Sequence, residues 1–107
     1  MLTAEVGTYM YEYQRDCTIE SGADASLVAS AEENHRIPDD GRLDTFAVCM
    51  LKKYNVLHKD GSVNQDVRSY TIFSDDIEEG RKREMCKNKT GRDVGETARK
   101  ITNCLSK

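Results

Sequence analysis

The stretch "DVGETARKITNC", Asp93 to Cys104, decides the fold class. Asp93 stands where an N-cap belongs, and Glu96 follows three residues later, the spacing of a capping box. Val94, Ala98, Ile101 and Leu105 then recur at helical spacing along one face. Gly95 is the anomaly, because glycine inside a first turn costs about 1 kcal/mol relative to alanine. A helix otherwise so well specified needs a reason for that residue.

Working outward, the same helical pattern recurs and no stretch alternates as a strand would. The segment "TAEVGTYMYEYQRDC" aligns Val6, Tyr9, Met10, Tyr13 and Cys17, with Thr3 as N-cap, Glu5 in the first turn and Gly22 as the stop. A short second helix follows Asp24 with Leu27, Val28 and Ala31, and Pro38 blocks its continuation. The third, after Asp39, carries the broadest apolar stripe: Leu43, Phe46, Ala47, Met50, Leu51 and Tyr54. Asp60-Gly61 marks a turn. Ser62 and Gln65 form a second capping box, which predicts a fourth helix holding Val63, Val67 and Tyr70. The fifth, capped by Ser74, is poor in apolar residues (Ile77, Met85, Cys86) and is expected at the surface, held by its cysteine. The expected fold class is all-α: a single domain over residues 1–107, a compact bundle of six short helices.

Composition narrows the function. Charged residues make up 33% of the chain and hydrophobic ones 37%, so the core is thin. A net charge of −3 with interspersed bases gives no concentrated basic surface for nucleic acid. No apolar run spans a bilayer, so no stable membrane insertion is expected. The opening "MLTAEV" reads as an initiator Met before a mature domain, which is compatible with secretion.

Cys17, Cys49, Cys86 and Cys104 form an even set with wide gaps and no CxxC knuckle. That spacing disfavours zinc, for which only His35 and His58 remain as helpers. Free buried thiols stay open as a reading. Two disulfides in a secreted domain suit a thin core better, with three connectivities possible. No Ser-His-Asp or Cys-His motif suggests an enzyme, and no cofactor is expected. The segment from Asp60 fails as a calcium loop, because Gln65 stands where the turn glycine belongs and Thr71 where the bidentate Glu belongs. Asn88-Lys89-Thr90 is a glycosylation sequon, a triplet that chance often supplies.

The six helices, with cysteines late in the first and in the third, fifth and sixth, resemble the insect odorant-binding proteins, the pheromone/general odorant-binding family. "CTIESGADASLV", "DDGRLDTFAVCMLKKYNVLHKDGSV" and "DVGETARKITNC" share its cadence. Usual members have six cysteines. Counting back from Cys49 and Cys104 puts the missing two at Thr45 and Gly95, partners in one family bridge. The chain is thus similar to the four-cysteine Minus-C branch, and Gly95 reads as a small residue left where a cross-link once packed.

The resemblance implies pairing of Cys17 with Cys49 and of Cys86 with Cys104. It also implies an apolar cavity that carries small hydrophobic ligands (odorants, pheromones, fatty acids or related lipids) through sensillum lymph or haemolymph. Tyr9, Met10, Tyr13, Phe46, Met50, Leu51, Tyr54, Tyr70, Phe73 and Ile101 are the candidate ligand-binding residues. Methionine adapts to irregular guests, and tyrosine joins an apolar ring to a hydroxyl. The partner expected is a small hydrophobic molecule, with the protein a monomer or weak homodimer. The alternative is a secreted helical interaction or amine-scavenging protein with a largely filled cavity; amine scavenging needs an inward carboxylate, from Glu12, Glu20 or Asp44.

Overall fold

The computed structural model describes the backbone of residues 8–71 and 77–106, with side chains over 12–71 and 79–106. Five α-helices follow in order: α1 (Thr8–Ser21), α2 (Ala25–Asn34), α3 (Gly41–Lys53), α4 (Ile77–Cys86) and α5 (Val94–Leu105). A 3-10 turn at Val67–Ser69 precedes α4. Thr3, Glu5, Val6, Phe73 and Ser74, and the side chains of Tyr9, Met10 and Ile77, lie outside the described residues.

Aspartates start three of the helices. Ser26 N–H donates to Asp24 Oδ1 at 2.7 Å, and Arg42 N–H donates to Asp40 Oδ1 at 2.9 Å. Glu96 N–H donates to Asp93 Oδ1 at 2.8 Å. Each bond satisfies an amide that the helix leaves open. The third helix is therefore capped by Asp40, one residue beyond the expected Asp39. Gly22, at φ 70°, follows α1 in the left-handed region that favours glycine. The second helix stops earlier than Pro38 requires. His35 takes φ 54°, its N–H bonds back to Glu32 O, and Arg36 N–H bonds back to Ala31 O at 3.1 Å.

The core gathers around α3. Leu43, Phe46, Ala47, Cys49, Met50 and Leu51 are all buried on it, and α3 packs most extensively on α5 and α1. From α5 come Ala98, Ile101, Thr102 and Leu105. Val94 departs from the expected inward face. At 43% exposure it lies over the Asp60-Gly61 turn, where a Cβ on Gly61 would stand 3.2 Å from its Cγ2.

Among the described residues the bundle has five α-helices rather than the expected six. No helix starts at Ser62, because Asp60 Oδ1 accepts from both Ser62 N–H (2.9 Å) and Ser62 Oγ (2.6 Å) and so closes an Asx turn. His58 N–H bonds to Ser62 O at 2.8 Å, and an isolated antiparallel bridge joins Leu57 to Val63. Buried Asn64 completes the loop. Its amide donates to Asn55 O (2.8 Å) and Ser69 Oγ (2.7 Å), and its Oδ1 accepts from Asp66 N–H (3.0 Å). Local side-chain bonds thus outcompete the capping box.

Two disulfides tie the elements together, Cys17–Cys49 between α1 and α3 and Cys86–Cys104 between α4 and α5. As expected, α4 is superficial, with Met85 65% exposed. It has a second anchor besides its cysteine: Arg83 is buried and its Nη1 donates to Val67 O, in the 3-10 turn, at 3.5 Å. No helix among the described residues is long and apolar enough to cross a membrane.

Candidate functional site

The candidate ligand residues whose side chains are described lie in or against one buried cluster, and two of them touch where α1 meets the end of α3. The Tyr13 and Tyr54 rings meet edge to face, with centroids 5.4 Å apart, and Lys53 Nζ lies 5.5 Å from the Tyr13 centroid. Phe46, Met50, Leu51, Tyr54, Tyr70 and Ile101 belong to one buried cluster, against which Tyr13 packs partly buried. Phe46, Leu51, Tyr54 and Ile101 expose none of their surface. Water therefore reaches no part of them from outside or from within. The expected apolar hollow is not seen at these four side chains, which face one another and their neighbours.

Two hydroxyls differ within this cluster. Tyr70 donates to Asn64 O at 2.8 Å, and burial, reinforced by the charge of Glu84, pushes its phenol up to about 12. Tyr54 OH is buried without a hydrogen-bond partner among the described residues. Burial pushes its phenol up as well, followed by the charge of Glu32 and the neighbouring Tyr13. A buried, unsatisfied hydroxyl costs about 1–3 kcal/mol.

The α3–α5 junction holds a second arrangement, which sequence reasoning missed. A Cβ on Gly95 would stand 3.2 Å from Asp44 Cβ, so α5 lies tight on α3 at this point. The facing residue is Asp44. Thr45, the expected neighbour, is exposed and turns its hydroxyl to Gly41 O at 3.1 Å. Arg99 Nε approaches Asp44 Oδ1 at 2.9 Å, and its Nη2 lies 3.4 Å from both Asp39 Oδ1 and Glu96 Oε2. The 2.9 Å contact brings opposite charges together between two half-buried side chains. Burial raises the Asp44 carboxyl above its ordinary range, outweighing the pull of Arg99. Only the Glu96–Arg99 half of this cluster has a local sequence signal, the i,i+3 spacing.

The carboxylates needed for amine capture are not placed for it. Glu12 and Glu20 are exposed on α1, and Asp44 is engaged by Arg99. His35 and His58 are exposed. Cys17, Glu20 and Cys49 come together, but both sulfurs are spent in a disulfide and offer no thiolate. Asn88 is exposed just beyond α4, its amide donating to Glu84 O at 3.3 Å.

The helix order and the bridges, first cysteine with second and third with fourth, fit one further finding. A model of the PBP/GOBP family matches residues 1–107. The chain belongs to the PBP/GOBP family. No curated protein and no solved structure matched it. Its two disulfides are consistent with the four-cysteine Minus-C pattern among PBP/GOBP proteins. In this PBP/GOBP chain, the Asp44–Arg99 charge pair joins α3 to α5 beside Gly95.

Proposed function

We propose that this PBP/GOBP protein is a secreted carrier that takes a small hydrophobic ligand into its interior and transports it through extracellular fluid. The match to the family over the whole chain carries this reading. The Tyr13–Tyr54 edge is the proposed place of binding, with Phe46, Met50, Leu51, Tyr70 and Ile101 around the guest. Tyr9, Met10 and Phe73 remain candidates by sequence alone. Binding there proceeds by displacement, the ligand parting Tyr13 from Tyr54 as it enters. The unpartnered Tyr54 hydroxyl favours guests whose apolar body ends in an oxygen acceptor: alcohols, esters or fatty acids. Each buried methylene stabilises the complex by about 0.8 kcal/mol before the costs of association.

Displacement of a fluorescent probe by fatty acids, alcohols and terpenoids tests the proposal. Competition at micromolar concentration is expected, and none below roughly 100 μM sinks it. Tyr54→Phe is expected to weaken oxygenated ligands several-fold while leaving hydrocarbons of equal length unchanged. The full burial of Phe46, Leu51, Tyr54 and Ile101 favours one rival, an interaction protein with a filled interior. That rival predicts no displacement by any of these ligands.

A further inference from the structure

A concavity on the outer side of α2 lies outside the tyrosine pair and the charge cluster. It has a volume of about 180 Å³ and is lined by Leu27, Ser30, Ala31, Asn34, Arg36 and Pro38. The first four share one helical stripe at spacing i, i+3, i+4 and i+7. We propose that this notch is a second binding site, for a small carboxylate bearing a single ring or a short acyl chain. It goes beyond the interior carrier site and does not depend on it.

Size sets the first limit. Drug-sized ligands occupy pockets of roughly 300–1,000 Å³, whereas an apolar cavity of about 150 Å³ accepts benzene. A volume of about 180 Å³ therefore suits one ring or a few methylenes. Polarity sets the second. Leu27, 38% exposed, gives an apolar wall together with Ala31 and Pro38. At the rim, the side chains of Ser30, Asn34 and Arg36 have no hydrogen-bond or ion-pair partner among the described residues. The nearby aspartates do not neutralise Arg36. Asp39 is 3.4 Å from Arg99, and Asp40 caps α3. An apolar wall beneath a guanidinium, an amide and a hydroxyl fits a carboxylate head, which accepts from all three, on an apolar body.

The two walls are also fixed in advance. Arg36 N–H bonds to Ala31 O at 3.1 Å, folding the loop back on the helix end. Next to it, Asn103 clips wholly buried Ile37 from both sides. Ile37 N–H donates to Asn103 Oδ1 at 2.7 Å, and Asn103 Nδ2 donates to Ile37 O at 2.9 Å. Pro38 adds a fixed φ. A rigid wall loses little entropy when a ligand seats.

Titration of the isotope-labelled, disulfide-intact protein with sodium benzoate, followed by amide NMR shifts, tests the site. Saturable shifts centred on Leu27, Ser30, Ala31, Asn34 and Arg36 are expected, with Kd in the millimolar range. Arg36→Gln is expected to weaken benzoate about tenfold, and Leu27→Gln to weaken it similarly. Both side chains are exposed, so unchanged melting curves show that each variant is folded. Benzylamine is expected to shift none of these amides. The proposal is overturned if benzylamine shifts them as benzoate does, if Arg36→Gln leaves benzoate binding intact, or if benzoate shifts resonances elsewhere only. Dye displacement from the interior reports the carrier reading separately.

Discussion

Replacing Arg99 by methionine keeps the packed stem and removes the charge that Asp44 faces. At 2.9 Å and an effective dielectric of 20, the attraction between the two charges is about 6 kcal/mol. Much of that only offsets the hydration both groups gave up, and their side chains retain 13% and 15% exposure, so water partly replaces the lost partner. The expected net loss is about 2 kcal/mol at pH 7, or roughly 10 °C in Tm. The pH dependence identifies the cause. Burial already holds the Asp44 carboxyl above its ordinary range, and losing Arg99 moves it higher. The folded variant thus carries an uncompensated anion at pH 7, which protonates as pH falls through the raised value. Urea unfolding with disulfides intact should show a deficit at pH 4 less than half that at pH 7. The remainder reflects the weaker contacts of Arg99 with Asp39 and Glu96. Adding Asp44→Asn should restore most of the stability at pH 7. A deficit below 0.5 kcal/mol at pH 7, or one equal at the two pH values, would refute the view that charge holds this junction.

Four further outcomes are expected. Removing Cys17–Cys49 or Cys86–Cys104 by paired alanine substitution should cost about 3–4 kcal/mol each in urea unfolding, from loops of 32 and 18 residues in the chain-entropy account. Tyr54→Phe removes an unsatisfied buried hydroxyl and should raise ligand-free stability by about 1 kcal/mol, read by calorimetry. Gly61→Ala should lower stability by about 1–2 kcal/mol, since φ is 92° there and the new Cβ meets Val94 at 3.2 Å. Glu96, held below its ordinary range chiefly by the Arg92 backbone N–H, stabilises the fold above its unfolded pKa and ceases to as pH falls through its folded value. Thermal melts from pH 6 to 3 should therefore be shallower for Glu96→Gln than for the natural chain.

What the sequence made legible was local or covalent. The caps at Asp24 and Asp93 each act on an amide two or three residues away, and the α3 stripe follows from helical spacing. The disulfide pairing was legible only through the family resemblance, because four cysteines leave three connectivities open. The helix expected at Ser62 failed on a competition that pattern reading does not weigh. Asp60 took the Ser62 amide first, and Asn64 spent its side chain on the loop carbonyl of Asn55. Asp44 facing Arg99 was invisible because the two are far apart in the chain and meet only once α5 lies on α3. Seven of the candidate ligand residues lie in or against one buried cluster, but periodicity cannot tell a side chain that lines a hollow from one that fills it. Phe46 and Ile101 satisfy the same spacing either way.

The clip on Ile37 bears on when the molecule can assemble. Its buried amide and carbonyl find their partners in Asn103, sixty-six positions later. A ribosome making this chain has therefore translated residue 37 long before it supplies the group that accommodates that backbone. The connection between α2 and α3 gains its final form only after α5 has emerged, so a link made early waits on a helix made much later.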